Sequence, residues 1–269
     1  MLQVLLQRFG SGVEKFKVGD EVYARPSDFH IGTFAEYISI PENDVALKPK
    51  NITMEEAASI PLIGLTAWQA LIEIGKIKKG QKVFIQAGSG GVGTFAIQFA
   101  KHLGATVATT TSTGNIDLVK KMGADVIIDY KNEDFETRLK DYDVVLHSNR
   151  DSKILEKSLR ILKQGGTLIS LTGPPTPEFA AELNLAWHLK FLTKLLSLGV
   201  KKKAKKLNVN FSFLFMKADG KQLSEITTLI NAGIIKPVVD KVFPFEQTNE
   251  AMAYVETGRA KGKVVVKIK

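Results

Sequence analysis

The stretch KVFIQAGSGGVGTFAIQFAKHL, residues Lys82–Leu103, decides the fold of this chain. It opens on a short apolar run at 83–85, which is typical of a buried parallel strand. Glycines then follow in G-x-G-x-x-G spacing at Gly88, Gly90 and Gly93. Apolar residues next recur at helical intervals on one face, at Val92, Phe95, Ala96, Phe99, Ala100 and Leu103. A strand, a glycine turn and a helix in this order are the setting of a dinucleotide-binding fingerprint.

Each glycine of this turn has a distinct physical role. The first permits the tight turn, the second lets a pyrophosphate approach the backbone, and the third lets helix and strand pack closely. Free N–H groups at the start of the helix, at the positive end of its dipole, attract phosphates. Turns without a binding role are also rich in glycine. The strand and helix that flank this turn favour the alternative, a cofactor-binding site.

The composition of the chain excludes several kinds of functional site. The chain has 269 residues, 44% of them hydrophobic, enough for one large or two ordinary domains. It has no cysteine, which excludes disulfides, thiolate metal sites and a cysteine nucleophile, and its four histidines have no ligand spacing. The absence of cysteine fits the cytosol, and we expect a cytoplasmic location. No apolar run is long and uncharged enough to span a membrane. The net charge of +9 suits a cofactor's phosphates as well as nucleic acid.

From Lys82 onward, predicted strands alternate with predicted helices. The strands are expected at 83–87, 106–110, 126–128, 144–146, 167–171 and, as a sixth strand, 209–216. The fourth of these is followed by a helix expected to carry Leu155, Leu159 and Leu162 and to end at Gly165-Gly166. This alternation predicts a doubly wound parallel sheet of the α/β class, with ligands at the carboxyl ends of the strands. The apolar sixth strand would lie at an edge, where a homodimer could pair.

The regions that flank this pattern have different characters. Residues 11–50 have β-rich composition, with strands expected at 18–23 and 32–38. A long helical stretch is predicted over 178–206, and it ends in a run of lysines from Lys201 to Lys206. Such a run suits a nucleic-acid patch, but a solvated helix end that complements the helix dipole is the favoured interpretation.

The choice of dinucleotide depends on the residues after the second strand. NAD-binding units usually place an acidic residue there to hold the ribose 2′-OH. No acid occurs here between Gly88 and Ile116, and the strand ends in Thr110-Thr111-Ser112-Thr113. Hydroxyl groups can bond a 2′-phosphate that a carboxylate would repel, so NADP is favoured. The alternative is that these residues simply form a polar loop.

Seven sequence segments, which occur in family order along nearly the whole chain, resemble one family. They are GSGVEKFKVGDEVYARP at 10–26, GTFAEYISIP at 32–41, AASIPLIGLTAWQAL at 57–71, AGSGGVG at 87–93, MGADVIIDY at 122–130, LKQGGTLISLTG at 162–173 and KPVVDKVFPFEQTNEAMAYVETGRAKGKVVVKI at 236–268. The chain resembles the zinc-independent medium-chain dehydrogenase/reductases of the NADPH:quinone reductase and enone (alkenal) reductase type.

The resemblance implies two domains. A partial GroES-like β-barrel domain would comprise residues 1–62 and 241–269, and a Rossmann NADP-binding domain residues 63–240. It also implies contacts to the cofactor, with the nicotinamide end near Thr66, Thr172 and Gly173. The pyrophosphate would be bound by Gly90, Gly91, Val92 and Gly93. The adenosine and its 2′-phosphate would be contacted by Thr111, Ser112, Thr113, Asn115 and Tyr130. The C-terminal tail would close over the cofactor with Arg259 and Ala260.

The chain departs from the family pattern in three places. Asn115 stands where the family often has lysine, and the segment 147–150 replaces the usual loop after the fourth strand. Family members carry further strands before residue 10, so the resemblance implies an N-terminally truncated chain. We expect the truncation to expose an apolar face around Val22, Tyr23, Phe34 and Tyr37.

Two functions therefore remain open from the sequence. The first is an NADPH-dependent oxidoreductase that transfers hydride to a quinone or an α,β-unsaturated carbonyl without zinc. The second is a non-catalytic protein that binds NADPH. No residue is a convincing general acid, and we expect Arg25 and His30 to be surface residues.

Overall fold

The computed structural model describes residues 2–8, 10–27 and 32–268, so His30 lies outside the described residues. The strands are β1 (Leu2–Leu5), β2 (Glu21–Ala24), β3 (Val45–Leu47), β4 (Lys82–Ile85), β5 (Thr106–Thr111), β6 (Val126–Asp129), β7 (Tyr142–His147), β8 (Leu162–Ser170), β9 (Asn210–Phe213), β10 (Val239–Pro244) and β11 (Lys263–Lys267).

The α-helices are α1 (Met54–Ser59), α2 (Pro61–Trp68), α3 (Gly91–His102), α4 (Ile116–Lys121), α5 (Phe135–Arg138), α6 (Ser152–Arg160), α7 (Pro177–Glu182), α8 (Trp187–Lys206), α9 (Gly220–Asn231) and α10 (Thr248–Glu256). A π-helix, Gln69–Ile74, continues α2. The chain divides into two compact units, one of residues 69–89 and 97–215, and the other of residues 1–68, 90–96 and 216–269.

The first unit contains a six-stranded parallel sheet in the order β6-β5-β4-β7-β8-β9. Val83 on β4 is paired with Val107 on one side and with Val144 on the other. The strand order runs outward in opposite directions from β4 and β7, so a topological switch point lies between them. The predicted doubly wound Rossmann sheet is confirmed, and β9 is at its edge as expected.

Helices cover both faces of this sheet. On one face Val145 of β7 belongs to an apolar core with Leu159 of α6 and Val200 of α8. Successive strand residues point to opposite faces, and Val144 faces the π-helix, where a Cβ on Gly75 would lie 3.4 Å from a Val144 methyl group. The sheet is therefore buried on both sides, which explains its nearly continuous apolar strands.

The glycine pair Gly165-Gly166 does not end a helix, contrary to the expectation. Helix α6 ends at Arg160, and β8 runs from Leu162 through both glycines. The pairing of β7 with β8 shifts register after Tyr142, and a Cβ on Gly166 would stand 3.0 Å from the Tyr142 carbonyl oxygen. The glycines therefore lie at the register shift inside β8, where the backbones of β7 and β8 approach closely.

The predicted helix over 178–206 is two helices, α7 and α8, and α8 has an unusual orientation. Its polar residues Thr193 and Ser197 are buried, whereas Trp187, Phe191 and Leu195 are exposed. At its end, Lys201 forms an ion pair with Glu178, and Lys203 forms one with Glu156, as a solvated helix end would. Within the described part of the chain, no helix is both long enough and apolar enough to cross a bilayer.

The second unit contains an antiparallel sheet, β1-β2-β3, and a parallel pair, β10-β11. Helix α1 is stabilised by a capping box between Thr53 and Glu56. Helix α2 packs closely against α9, because a Cβ on Gly64 would lie 3.1 Å from Ile226. This antiparallel sheet lies in the region that the sequence assigns to a partial barrel.

One expectation for this unit is wrong, and another holds only in part. No strand forms over 32–38, where the described backbone only bends. The expected exposed apolar face includes Phe34 and Tyr37, which are 54% and 73% exposed, but Val22 and Tyr23 are buried. Strands β1 and β3 flank β2, and α9 packs against β3, so that part of the face is covered.

The Tyr23 side chain links β2 to α9. Its hydroxyl donates a hydrogen bond to the Leu223 carbonyl at 2.8 Å and lies 2.9 Å from Thr227 Oγ1. Burial raises the pKa of this hydroxyl well above its usual range. The group is therefore a neutral, fully desolvated donor.

We expect Tyr23→Phe to lower the free energy of unfolding by about 1–3 kcal/mol, because the Leu223 carbonyl loses a buried donor. Urea denaturation monitored by circular dichroism measures this difference. Tyr37→Phe is the matched control, since Tyr37 is exposed, and it should leave stability unchanged. Equal stability of both variants would show that the Tyr23 hydroxyl is not a structural link.

Candidate dinucleotide site

The glycine turn after β4 is shaped by contacts with β5. Ala87 has a positive φ of 52°, a conformation that costs energy in any residue with a side chain. Its N–H donates to Thr110 Oγ1 at 3.1 Å, and the Gly88 N–H donates to the Thr110 carbonyl at 2.9 Å. A Cβ on Gly88 would stand 2.2 Å from Thr109 Oγ1, so the turn accepts no side chain at this position.

Helix α3 begins directly at the glycines. Gly91, Val92 and Gly93 form its first turn, whose N–H groups have no partner within the helix. Gly90 makes an isolated parallel bridge with Gly262, so the segment before β11 lies beside the turn. A close-approach turn followed by free N–H groups fits the diphosphate of a dinucleotide.

The loop after β5 presents hydroxyl groups. Thr111 is buried, and its hydroxyl has no hydrogen-bond partner among the described residues. Asn115 Nδ2 donates to Ser112 Oγ and to Ser89 Oγ, each at 3.2 Å. The amide thus ties the loop to the glycine turn and gathers two hydroxyl groups in one place.

Asp129 contributes to this loop, which the sequence analysis missed. Its carboxylate accepts hydrogen bonds from Thr113 Oγ1 at 2.5 Å, Asn132 Nδ2 at 2.8 Å and the Lys131 N–H at 3.1 Å. These bonds, that of Thr113 first, hold the pKa of Asp129 below its usual range. The Thr113 hydroxyl therefore already uses its proton in a hydrogen bond within the protein. The parallel pairing of β5 with β6 brings the two residues together.

The other predicted residues of this unit lie at the carboxyl ends of their strands. Tyr130 follows β6 and is 62% exposed. The Thr172 hydroxyl donates to the Asn149 carbonyl at 2.7 Å, and the Gly173 N–H donates to Ser170 Oγ at 2.8 Å. The predicted residues of this unit thus lie at the carboxyl ends of the sheet strands, where a doubly wound fold binds its ligand. They are Ser112, Asn115, Tyr130, Thr172 and Gly173.

His147, the last residue of β7, is a buried group that the sequence analysis did not assign. Its side chain is fully buried beside the backbone of Asn149, and neither ring nitrogen makes a well-formed hydrogen bond with the described residues. Burial lowers its pKa to about 4. The imidazole is therefore neutral at physiological pH and adds no charge to the carboxyl edge of the sheet.

The second unit contains the remaining predicted residues. Thr66 is buried on α2 and its hydroxyl donates to the Leu62 carbonyl at 2.7 Å, so its own helix uses that donor. Arg259 is exposed, and Ala260 lies two residues before the Gly262 bridge to Gly90. The structure thus brings the tail segment to the glycine turn. The roles of these residues toward a cofactor stay predictions.

Across the described ranges there is no cluster of three or more His, Cys, Asp or Glu side chains suited to a metal ion.

Comparison with known proteins extends these observations. A family model described as zinc-binding dehydrogenase matches residues 122–266. NAD(P)H oxidoreductase RTN4IP1, mitochondrial, from Bos taurus is 36% identical, over 96% of this chain and 67% of the relative. NADPH-dependent alkenal/one oxidoreductase, chloroplastic, from Arabidopsis thaliana is 35% identical, over 96% of this chain and 60% of the relative. The chain thus spans about two thirds or less of the length of these two relatives.

A solved structure gives the same result for the fold. The chain is similar to Escherichia coli quinone oxidoreductase complexed with NADPH, with a TM-score of 0.80 and 26% identity. The match covers 99% of this chain and 80% of that structure.

The fold and the site define an oxidoreductase that uses a nicotinamide dinucleotide. The chain belongs to the zinc-binding dehydrogenase family, and within it to the medium-chain dehydrogenases/reductases of quinone and enone reductase type. The predicted family, fold class and enzyme class are confirmed. Zinc independence, the choice of NADP and the electron acceptor stay predictions.

We expect Asp129→Asn to destabilise the protein near neutral pH, because the variant loses the charged acceptor of three hydrogen bonds. The folded-state pKa of Asp129 lies below its unfolded value of about 3.9. Its stabilising contribution is therefore present above pH 4 and is lost as the pH falls through the folded-state pKa. Urea midpoints at pH 7 and pH 3 test this: the difference between variant and wild type should shrink at pH 3. An equal difference at both pH values would contradict the assignment.

Proposed function

We propose that the protein is a zinc-independent, NADPH-dependent reductase of a quinone or an α,β-unsaturated carbonyl compound. The observation that carries the proposal is the hydroxyl-lined loop after β5, tied to the glycine turn through Asn115. A bound NADPH would supply the hydride. The chain would bind the cofactor, orient its nicotinamide and exclude water from it.

The preference for NADP is supported by the groups at the end of β5. The Ser112 and Ser89 hydroxyls converge on one amide and can bond a phosphate oxygen. The carboxylate of Asp129, at the end of β6, accepts hydrogen bonds from Thr113 and Asn132. A lysine, frequent at position 115 in the family, is absent, so we expect hydrogen bonds rather than a salt bridge to hold the 2′-phosphate.

The acceptor class is supported by the relatives, one named an alkenal/one oxidoreductase and one a quinone oxidoreductase. Both reactions place a hydride on an electron-poor conjugated system and need a proton afterwards. No described side chain at the site stands out as the acid, since His147 is neutral and buried. We therefore assign the proton to water or to a nearby hydroxyl group.

Further parts of the proposal come from the sequence. We retain the division into a partial GroES-like domain, residues 1–62 and 241–269, and a Rossmann domain, residues 63–240. We also retain a cytoplasmic location and a homodimer through the 209–216 edge strand. The alternative function, NADPH binding without turnover, is distinguished from a reductase by the following experiment.

NADPH oxidation at 340 nm, measured with a soluble quinone and with a short-chain enone, tests the proposed reaction. We expect turnover with at least one acceptor and no change when a zinc chelator is present. NADPH binding, measured in parallel by the increase in its fluorescence, separates the two functions. Binding without turnover on either acceptor would favour the non-catalytic alternative.

We expect NADPH to bind at least tenfold more tightly than NADH, and Ser112→Asp to reverse this preference. The new carboxylate would repel the 2′-phosphate and could accept a hydrogen bond from the ribose 2′-OH of NADH. Dissociation constants for both dinucleotides measure the change. Ser224→Asp, a substitution on α9 in the other compact unit, is the control. Equal affinities of the wild type for NADPH and NADH would refute the 2′-phosphate assignment.

A further inference from the structure

The C-terminal segment places a lysine against the glycine turn. A Cβ built on Gly91 would stand 2.6 Å from Cδ of Lys263 and 3.2 Å from the Gly262 carbonyl oxygen. The aliphatic stem of Lys263 thus lies directly over the first residue of α3. Its ammonium group is two bonds beyond that Cδ atom, so it can reach an anion held at the start of the helix.

This position is fixed by the backbone. Gly262 forms the parallel bridge with Gly90, and the Lys263 N–H donates to the Val238 carbonyl at 2.9 Å. Gly262 has a φ of 76°, and a Cβ there would collide with the Val238 carbonyl oxygen at 2.2 Å. The chain therefore turns tightly at Gly262, and Lys263 begins β11 beside the glycine turn.

Lys263 has no carboxylate partner among the described residues. Its neighbour on the same strand, Lys267, forms an ion pair with Glu55 at 2.8 Å. Lys263 is partly buried, and burial lowers its pKa. A cation removed from water without an opposing charge is destabilising unless an anion binds beside it.

We infer that Lys263 binds the pyrophosphate of the dinucleotide, as a cation that the C-terminal segment supplies to the glycine turn. The inference rests on the proposed function and deepens it. The pyrophosphate is the relevant group because it sits at the helix N-terminus in dinucleotide-binding units. NADPH and NADH both carry a pyrophosphate, so Lys263 strengthens the binding of both and does not choose between them. The family resemblance implies cofactor contacts at Arg259 and Ala260, and none at Lys263.

The test is Lys263→Met, which keeps an unbranched apolar stem over Gly91 and removes the charge. We expect its dissociation constants for NADPH and NADH to rise by the same factor, about ten- to a hundredfold, since a hydrogen bond to a charged group is lost. The ratio of the two constants should stay at the wild-type value. Lys263→Arg should recover most of the affinity.

Lys267→Met is the matched control, because it removes a charge four residues further along β11 and should leave both constants unchanged. If Lys263→Met does not fold, as judged by its thermal unfolding, Lys263→Gln replaces it. This variant also removes the charge, and affinity for both dinucleotides should fall by a common factor.

The outcomes are separable. Unchanged affinity in Lys263→Met, or a loss confined to NADPH, would overturn the inference while the proposed function stands. Wild-type protein that binds neither dinucleotide would overturn the proposed function, and with it the inference.

Discussion

The backbone between β4 and α3 can turn as it does only with glycine at position 88, because the Thr109 hydroxyl occupies the space where a side chain would lie. That hydroxyl is itself held by the Ile85 carbonyl at 2.6 Å, so β4 and β5 set the turn together. Ala87 adopts a positive φ to enter it. The start of α3, and therefore the direction of its free N–H groups, follows from this one close contact.

Charge is distributed unevenly around the candidate site. The chain has a net charge of +9, yet the loop after β5 presents hydroxyl and amide groups rather than lysines. The acid that enters the loop, Asp129, is bonded to Thr113 and Asn132. Lys263, which has no carboxylate partner among the described residues, lies against Gly91.

The parallel sheet and its glycine turn were predictable because their signals are local: short apolar strands, glycine spacing and helical periodicity fall within one stretch of chain. The errors arose where distant segments decide the outcome. Gly165-Gly166 resembles a helix stop, but the register of β7 against β8 places it inside a strand. The single helix predicted over 178–206 is divided into α7 and α8, and the buried side of α8 carries Thr193 and Ser197 as well as Val200. The roles of Asp129 and Lys263 depend on strand pairing and backbone turns that no local pattern encodes.

The sheet order also constrains how the chain can fold. The strands β4, β5 and β6 are close in sequence and can pair early, but β4 finds its second partner only when β7 arrives. Until then Val83, Phe84 and Ile85, all fully buried in the finished sheet, line an open strand edge. Long-range pairing of this kind slows folding, and an open apolar edge promotes association between chains. The switch point between β4 and β7 is therefore also a place where the unfinished sheet is open to association with another chain.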